Sequence, residues 1–248
     1  MPMKTQNFDT YDEFPKDFWF ISARQDLIKK SLEGRLKRKD LKILDIGCGT
    51  GFNYPALSSF GEVHNLDISE RALLSCKKKG MKHLYPGDAQ DLKQFKSETF
   101  DLVTAIEVLE HLEKDYACIA EVRRVLKRGG LFLFTTPAHR FLWSSDDILA
   151  EHKRRYSRME IINKIRPHFS LLYLGYRYFF LMPPALLVFA MQKIVSRSTK
   201  KHRNSLTYTP RPINAVLRAI MRAEAYLIGK GIHLPFGISF IGVARKDG

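Results

Sequence analysis

Short apolar runs separated by stretches of helical or turn-like polarity give this chain its rhythm. Residues 41–46, 63–67, 99–105, 131–137, 169–178 and 234–246 are rich in aliphatic and aromatic side chains, and most are bounded by Gly, Pro, Asp or Ser. Runs of that length predict buried strands. Amphipathic stretches between them predict helices over 17–33, 52–60, 70–79, 121–130 and 157–166. Ser69 is placed to cap the third, Ser157 and Glu160 form a capping box for the fifth, and Gly61, Gly80 and Gly129 follow apolar turns as helix-ending glycines. Alternation of this kind predicts an α/β fold, a mostly parallel sheet with helices on both faces.

The first strand, Leu41 to Ile46, runs straight into Gly47, Cys48, Gly49, Thr50 and Gly51. Glycine at every second position lets a backbone turn sharply and lie against a ligand. Asp67, at the end of the second apolar run, stands where a doubly wound sheet places a carboxylate for two ribose hydroxyls. The order G-x-G-x-G is not the G-x-G-x-x-G of a dinucleotide site, so no pyrophosphate seat is evident. A nucleoside pocket is the reading.

These residues resemble the first motif of the class I S-adenosylmethionine-dependent methyltransferases, with Asp45, Gly47, Gly49 and Gly51 matching it and Asp67 matching the ribose acid. Tyr85-Pro86-Gly87-Asp88-Ala89 is similar to that family's adenine-binding segment, Asp88 accepting the exocyclic amine. Ile106-Glu107-Val108-Leu109-Glu110-His111 resembles the strand-four ending of small-molecule members, and 234–246 resembles the family's last strand. The resemblance implies a Rossmann-like seven-stranded sheet and S-adenosyl-L-methionine as methyl donor, with Cys48, Ile68, Ala89 and Glu107 around it. It also implies that the N-terminal helix folds over the cofactor, Trp19 acting as a lid and Arg24 meeting the methionine carboxylate.

At 248 residues and 45% apolar content the chain can bury one large core, so one domain is the simplest organisation. It divides into an N-terminal helical lid at 1–40, a core at 41–180, a cap inserted between strands six and seven at 180–234, and the last strand at 235–248. Three cysteines, Cys48, Cys76 and Cys118, lack metal spacing, and the first forty residues lack the apolar core of a signal peptide. A cytoplasmic protein is the expectation.

The formal net charge is +15, and the excess is concentrated: residues 153–218 hold fourteen Lys or Arg against one acid, Glu160. Within that region 178–191 is uncharged and mostly apolar, broken by Pro183 and Pro184, too short to span a bilayer, and followed by Lys200, Lys201, Arg203 and an amphipathic helix over 213–228. That combination fits a segment lying in an anionic headgroup layer, and equally a buried cap helix beneath a solvated basic loop. Nucleic acid ranks behind lipid, because the aromatics cluster with aliphatics instead of interleaving with the basic residues.

The acceptor side is expected in the loop at 137–156, which resembles a methyltransferase subgroup ending in H-x-R-R-Y. His139, Trp143, Asp147, His152, Arg155 and Tyr156 are its candidates; the alternative is that Trp143 and Tyr156 pack the loop and Arg155 makes a salt bridge. Methyl transfer needs no covalent protein nucleophile, but a hydroxyl acceptor needs a base, so His111, His152 and Tyr156 are the catalytic candidates. If residues 107–111 form a helical turn, Glu107, Glu110 and His111 share one face and, with His152, could hold a divalent cation, a less favoured use of the same side chains. The expected reaction is O-methylation of a small-molecule or lipid- or glycan-linked acceptor. An RNA methyltransferase and a non-catalytic membrane-associated adaptor are the alternatives.

Overall fold

The structure is a computed structural model and describes residues 18–36, 38–184, 186–187 and 209–248. The basic run at Lys200, Lys201 and Arg203, the end of the apolar stretch beyond 187 and the whole of 1–17 lie outside the described residues.

Seven strands form one sheet: β1 (Leu41–Ile46), β2 (Gly61–Asp67), β3 (Leu84–Pro86), β4 (Phe100–Ile106), β5 (Leu126–Pro137), β6 (Ser170–Arg177) and β7 (Ser239–Arg245). Their order is β3-β2-β1-β4-β5-β7-β6, with β1 to β5 parallel and β7 antiparallel between β5 and β6. The order reverses between β1 and β4, and the crevice at the carboxyl ends of those strands is where such sheets bind ligands.

Alternation along the strands sorts the core into two layers. Leu44, Ile46, Leu66, Val103, Phe132 and Phe134 face one side, where α4 (Asp115–Val125) and α6 (Arg158–Ile165) cover them with Ile119, Val122, Ile161 and Ile165. Ile43, Val63, Leu102, Leu131 and Leu133 face the other, covered by α1 (Trp19–Leu32), α2 (Tyr54–Leu57) and α7 (Arg211–Gly229). Two further helices are α3 (Glu70–Lys78) and α5 (Ser145–Leu149). Helices α1 and α7 pack side by side, and the backbone N–H of Trp19 donates to Asn214 Oδ1 at 2.8 Å, so α7 satisfies a first-turn amide of α1.

The Ser157–Glu160 capping box and the Ser69 cap form as the sequence predicts. Two helix boundaries differ. The stretch 52–60 yields only the four-residue α2, and Gly61 opens β2 instead of ending a helix, because its backbone pairs in register with Leu41. The predicted helix over 121–130 begins earlier, at Asp115, and stops at Val125; Leu126 is already extended and paired with Phe100, and Gly129 and Gly130 lie inside β5, where the Gly129 N–H donates to the Lys246 carbonyl. Glycines after an apolar turn fit a helix end and an irregular strand entry equally well.

Candidate functional site

The turn after β1 is built from glycines that no other residue could replace without cost. Gly47 has φ +64, and a Cβ there would stand 2.6 Å from Val108 Cγ2. Gly49 has φ +54, but a Cβ there would meet nothing within 4 Å: its open side is a cradle. Beneath the turn Asp45 is fully buried, accepting from Thr104 Oγ1 at 2.6 Å and from Asn53 Nδ2 at 3.2 Å. Burial outweighs those bonds and the nearby Arg24 charge, and pushes the carboxyl up to about 6.

Asp67 ends β2 and ties the turn to it. One oxygen accepts from the Gly49 N–H and the other from the Ser69 N–H, both at 2.8 Å, while burial raises its pKa. Ile68, next in sequence, is half exposed. Asp88 follows β3 and accepts from the Gln90 N–H at 2.8 Å and from its side chain, with Ala89 buried behind it. Cys48 is a buried free thiol facing Cys76, and hydrogen bonding to Cys76 together with burial drives its pKa well up, so it is no nucleophile.

Residues 107–111 do not form the helical turn that the E-x-x-E-H spacing suggested. Glu107 sits at φ +55 with its N–H held by Thr135, and only Leu109–His111 make a single 3₁₀ turn. Glu107 therefore turns toward β6, where its Oε1 lies 3.5 Å from Nη1 of Arg177, a guanidinium 2% exposed. Burial pushes Glu107 up, but the charges of Arg177 and Arg24 win and hold it ionised below the usual range. Glu110 is wholly buried, accepts from Thr136 Oγ1, and is pushed well up by burial and by the Glu107 carboxylate. The two carboxyls of this site are thus pushed in opposite directions, Glu107 down and Glu110 up.

The loop after β5 brings His152 to that site. The Lys153 N–H donates to the Glu110 carbonyl, the Tyr156 N–H to the Pro137 carbonyl at the end of β5, and the His139 N–H to the Tyr156 carbonyl, so both ends of the loop are clamped. His152 Nδ1 lies 2.8 Å from Asp147 Oδ1, and its Nε2 is 4.0 Å from Glu110 Oε1. Asp147 caps α5 and also accepts from Arg155 Nε at 2.8 Å; against the burial that would raise it, bonds from His152 and Arg155 bring its pKa to about 2. His111 meets the His152 ring edge-on at 4.8 Å, and burial followed by the His152 charge lowers it to about 4.

Several expected residues go elsewhere. Tyr156 is a core residue: its hydroxyl lies 2.7 Å from Asp115 Oδ2 and 3.1 Å from the Leu109 carbonyl, and burial then Asp115 raise its pKa far beyond use as a base. Arg155 is a buried structural cation that also binds the Ala138 carbonyl. Glu110, His111 and His152 bring ligand atoms within 4.8 Å of one another without Glu107, which lies against Glu110 and Arg177 instead. Trp143 is exposed, and Trp19 packs at the α1–α7 seam beside Phe20, Ala23 and Met221. His139, at φ +61, stacks on Tyr176. Arg177 and Glu224, which takes the Tyr178 N–H at 2.5 Å, were not foreseen; the sequence signal was Arg177 at the edge of an apolar stretch and a lone acid within an amphipathic helix.

Nine buried side-chain atoms have no hydrogen-bond partner among the described residues, and seven belong to residues around this crevice: Arg24 Nε, Thr50 Oγ1, Asn53 Oδ1, Glu107 Oε1, Glu110 Oε1, His139 Nε2 and Arg177 Nη1. Buried polar atoms are rarely left orphaned, so a cluster of them marks a place built for another molecule.

Residues 44–134 match the methyltransferase domain family. The chain is 34% identical over 105 residues to the ubiquinone biosynthesis O-methyltransferase of Thiobacillus denitrificans, covering 38% of this chain and 44% of that one. It is 34% identical over 114 residues to the malonyl-[acyl-carrier protein] O-methyltransferase of Halalkalibacterium halodurans, covering 40% and 42%. The chain thus spans less than half the length of these two relatives. The fold is similar to a crystal structure from Thermotoga maritima described as an S-adenosylmethionine-dependent methyltransferase and possible histamine N-methyltransferase, with TM-score 0.60, 16% identity and 96% of each chain covered. By its glycine turn, its strand order and the methyltransferase domain matched at 44–134, the chain is similar to the class I S-adenosylmethionine-dependent methyltransferases.

Proposed function

We propose that this chain transfers a methyl group from S-adenosyl-L-methionine to a hydroxyl oxygen of a small-molecule or lipid- or glycan-linked acceptor. The observation that carries the choice of oxygen is the Asp147–His152 pair aimed at Glu110, beside the glycine turn. Both similar relatives named above are O-methyltransferases.

The crevice fits the methyl donor. Gly49 leaves open space on its ligand side, and Arg24 brings a buried Nε without a partner beside Asp45 and Glu107. Gly47, Gly49 and Gly51 would line the donor with main chain, Asp67 would take its ribose hydroxyls, Ile68, Asp88 and Ala89 its adenine, and Arg24 its carboxylate. When bound, the sulfonium supplies an electrophilic methyl group and a neutral thioether leaving group.

The chain's own work is alignment and proton removal. With Nδ1–H donated to Asp147, His152 presents the lone pair of Nε2 and takes the acceptor's hydroxyl proton as oxygen attacks the methyl carbon. His111, lowered to about 4, is a weak base and contributes a neutral wall. Radiolabelled methyl transfer into lipid, glycan, RNA and protein fractions of a host extract tests the proposal. Label in the lipid, glycan or small-molecule fraction, lost in His152→Gln, is the expected result; label in RNA alone makes this an RNA methyltransferase, and donor binding without transfer to any fraction makes it an adaptor.

A second reading rests on Glu110, His111 and His152, whose convergent ligand atoms and orphaned Glu110 Oε1 suit a divalent cation. His152 would then be a ligand rather than the base. Activity abolished by chelation and restored by metal selects that reading; insensitivity to chelator removes it.

Access to a lipid-linked acceptor would come through α7. Ile213, Val216 and Tyr226 are exposed on it, and Arg211, Arg222 and Lys230 are exposed along its length. That face suits peripheral contact with an anionic, cytoplasm-facing membrane surface, and no described helix is long and apolar enough to cross one. Co-sedimentation with phosphatidylserine vesicles but not neutral ones checks it.

A further inference from the structure

A second cluster of metal-binding side chains lies away from the crevice, where β2 meets the edge strand β3. Glu62 and His64 are two residues apart on β2 and so share a face of the sheet. The β2–β3 register pairs Asn65 with Leu84, which sets His83 alongside His64. His83 holds φ +51, unusual for a residue with a Cβ, and its ring stacks on His64 with centroids 4.6 Å apart.

The donor atoms converge. Glu62 Oε1 is 2.7 Å from His64 Nε2, Glu62 Oε2 is 3.7 Å from His83 Nε2, and the three residues each bring a ligand atom within 4.8 Å of the others. His64 is buried, and the Tyr85 hydroxyl lies 3.1 Å from its Nδ1, the outer-sphere contact that fixes a ligating imidazole and points Nε2 at the metal. Zinc bound at about 2.0–2.2 Å to nitrogen and oxygen in a tetrahedron places its ligand atoms about 3.3–3.6 Å apart, and the two measured separations lie on either side of that range.

We propose that Glu62, His64 and His83 form a site for a divalent transition-metal ion of the zinc class, with water in the fourth position. Two imidazoles and one carboxylate suit zinc and its neighbours rather than calcium or magnesium, which take oxygen ligands. Lys42, the register partner of Glu62 on β1, is the adjacent cation, and its Nζ is drawn 5.8 Å above the Phe100 ring. The site is about 10 Å up the strand from Asp67, three residues away. Its effect is therefore structural. β3 pairs with β2 through only three residues before the chain reaches Asp88, and a metal joining His83 to β2 pins that short edge strand at its start.

The test uses the full chain stripped with chelator, zinc titration against a chromophoric competitor, and thermal unfolding with and without zinc. His83→Gln and Glu62→Gln, both at exposed positions, should each lose one equivalent of bound zinc and the associated rise in unfolding temperature. His152→Gln should keep both, which separates this site from Glu110, His111 and His152. Tyr85→Phe should weaken zinc about 10-fold. Unchanged zinc affinity in His83→Gln and Glu62→Gln, loss of the only equivalent in His152→Gln, or no zinc binding by the wild type overturns the proposal.

Discussion

Replacing Asp45 with Asn should make the protein more stable and less able to bind its donor. Asp45 is fully buried, and burial lifts its carboxyl from 3.8 to about 6. An acid whose folded pKa lies above its unfolded one is favoured in the folded state while protonated, so the folded protein loses stability as pH rises from 3.8 through 6 and recovers none above it. The difference of about two pH units, at 1.36 kcal/mol each, is a penalty of about 3 kcal/mol at pH 8 and about half that at pH 5. Asparagine has the same shape without the charge. Its oxygen can keep the Thr104 hydroxyl, and its amide can donate to Asn53 Oδ1, which has no partner in the wild type. Asp45→Asn should therefore gain about 2–3 kcal/mol at pH 8, or roughly 5–10 °C in unfolding temperature, and the gain should fall toward pH 5. Urea unfolding of both proteins from pH 5 to pH 8, with calorimetric binding of S-adenosyl-L-methionine alongside, measures it. Equal stability at pH 8, or an advantage that does not shrink as pH falls, refutes the reasoning.

Asp147→Asn removes the charge that orients His152 and holds Arg155, so turnover should drop at least 10-fold while donor affinity stays within about 2-fold; equal turnover would exclude His152 as the oriented base. The same substitution should cost about 2 kcal/mol of stability near neutral pH, because the folded pKa of about 2 lies below the ordinary 3.8 and the stabilisation is present above 3.8 and lost as pH falls through 2. Tyr156→Phe should destabilise by about 1–3 kcal/mol in urea and leave turnover at permissive temperature unchanged, since its hydroxyl serves Asp115 and Leu109. Arg24→Ala should weaken S-adenosyl-L-methionine binding at least 10-fold by calorimetry with the unfolding midpoint little moved; unchanged affinity removes Arg24 from the carboxylate seat.

The glycine turn and the acids beside it were legible because their chemistry is local. Asp45, the glycines at 47, 49 and 51, and Asp67 lie within one strand-turn-helix-strand unit, and the turn's backbone demands glycine whatever the rest of the chain does. The acceptor half was not, because its partners are remote in sequence. Glu107 meets Arg177 seventy residues on, and Tyr178 meets Glu224 across forty-six. The E-x-x-E-H spacing reads as a helical face, yet the positive φ of Glu107 breaks that turn, so Glu107 reaches Arg177 of β6 as well as Glu110. Tyr156 looked like chemistry because it ends a polar loop, but it anchors that loop to the core.

The position of β7 has a consequence for how the chain comes together as it is made. β7 is the last strand in sequence and the sixth in space, wedged between β5 and β6, and α7, just before it, completes the face that α1 begins. A nascent chain that has emerged as far as β5 can already assemble the glycine turn from β1, β2 and β4, but β5 and β6 must wait without a common neighbour, and α1 without the Asn214 side chain, until α7 and β7 have left the ribosome. Assembly is therefore ordered in time: the glycine turn with Asp45 and Asp67 forms first, and the edge that holds β5 and β6 together closes only once β7 has been made.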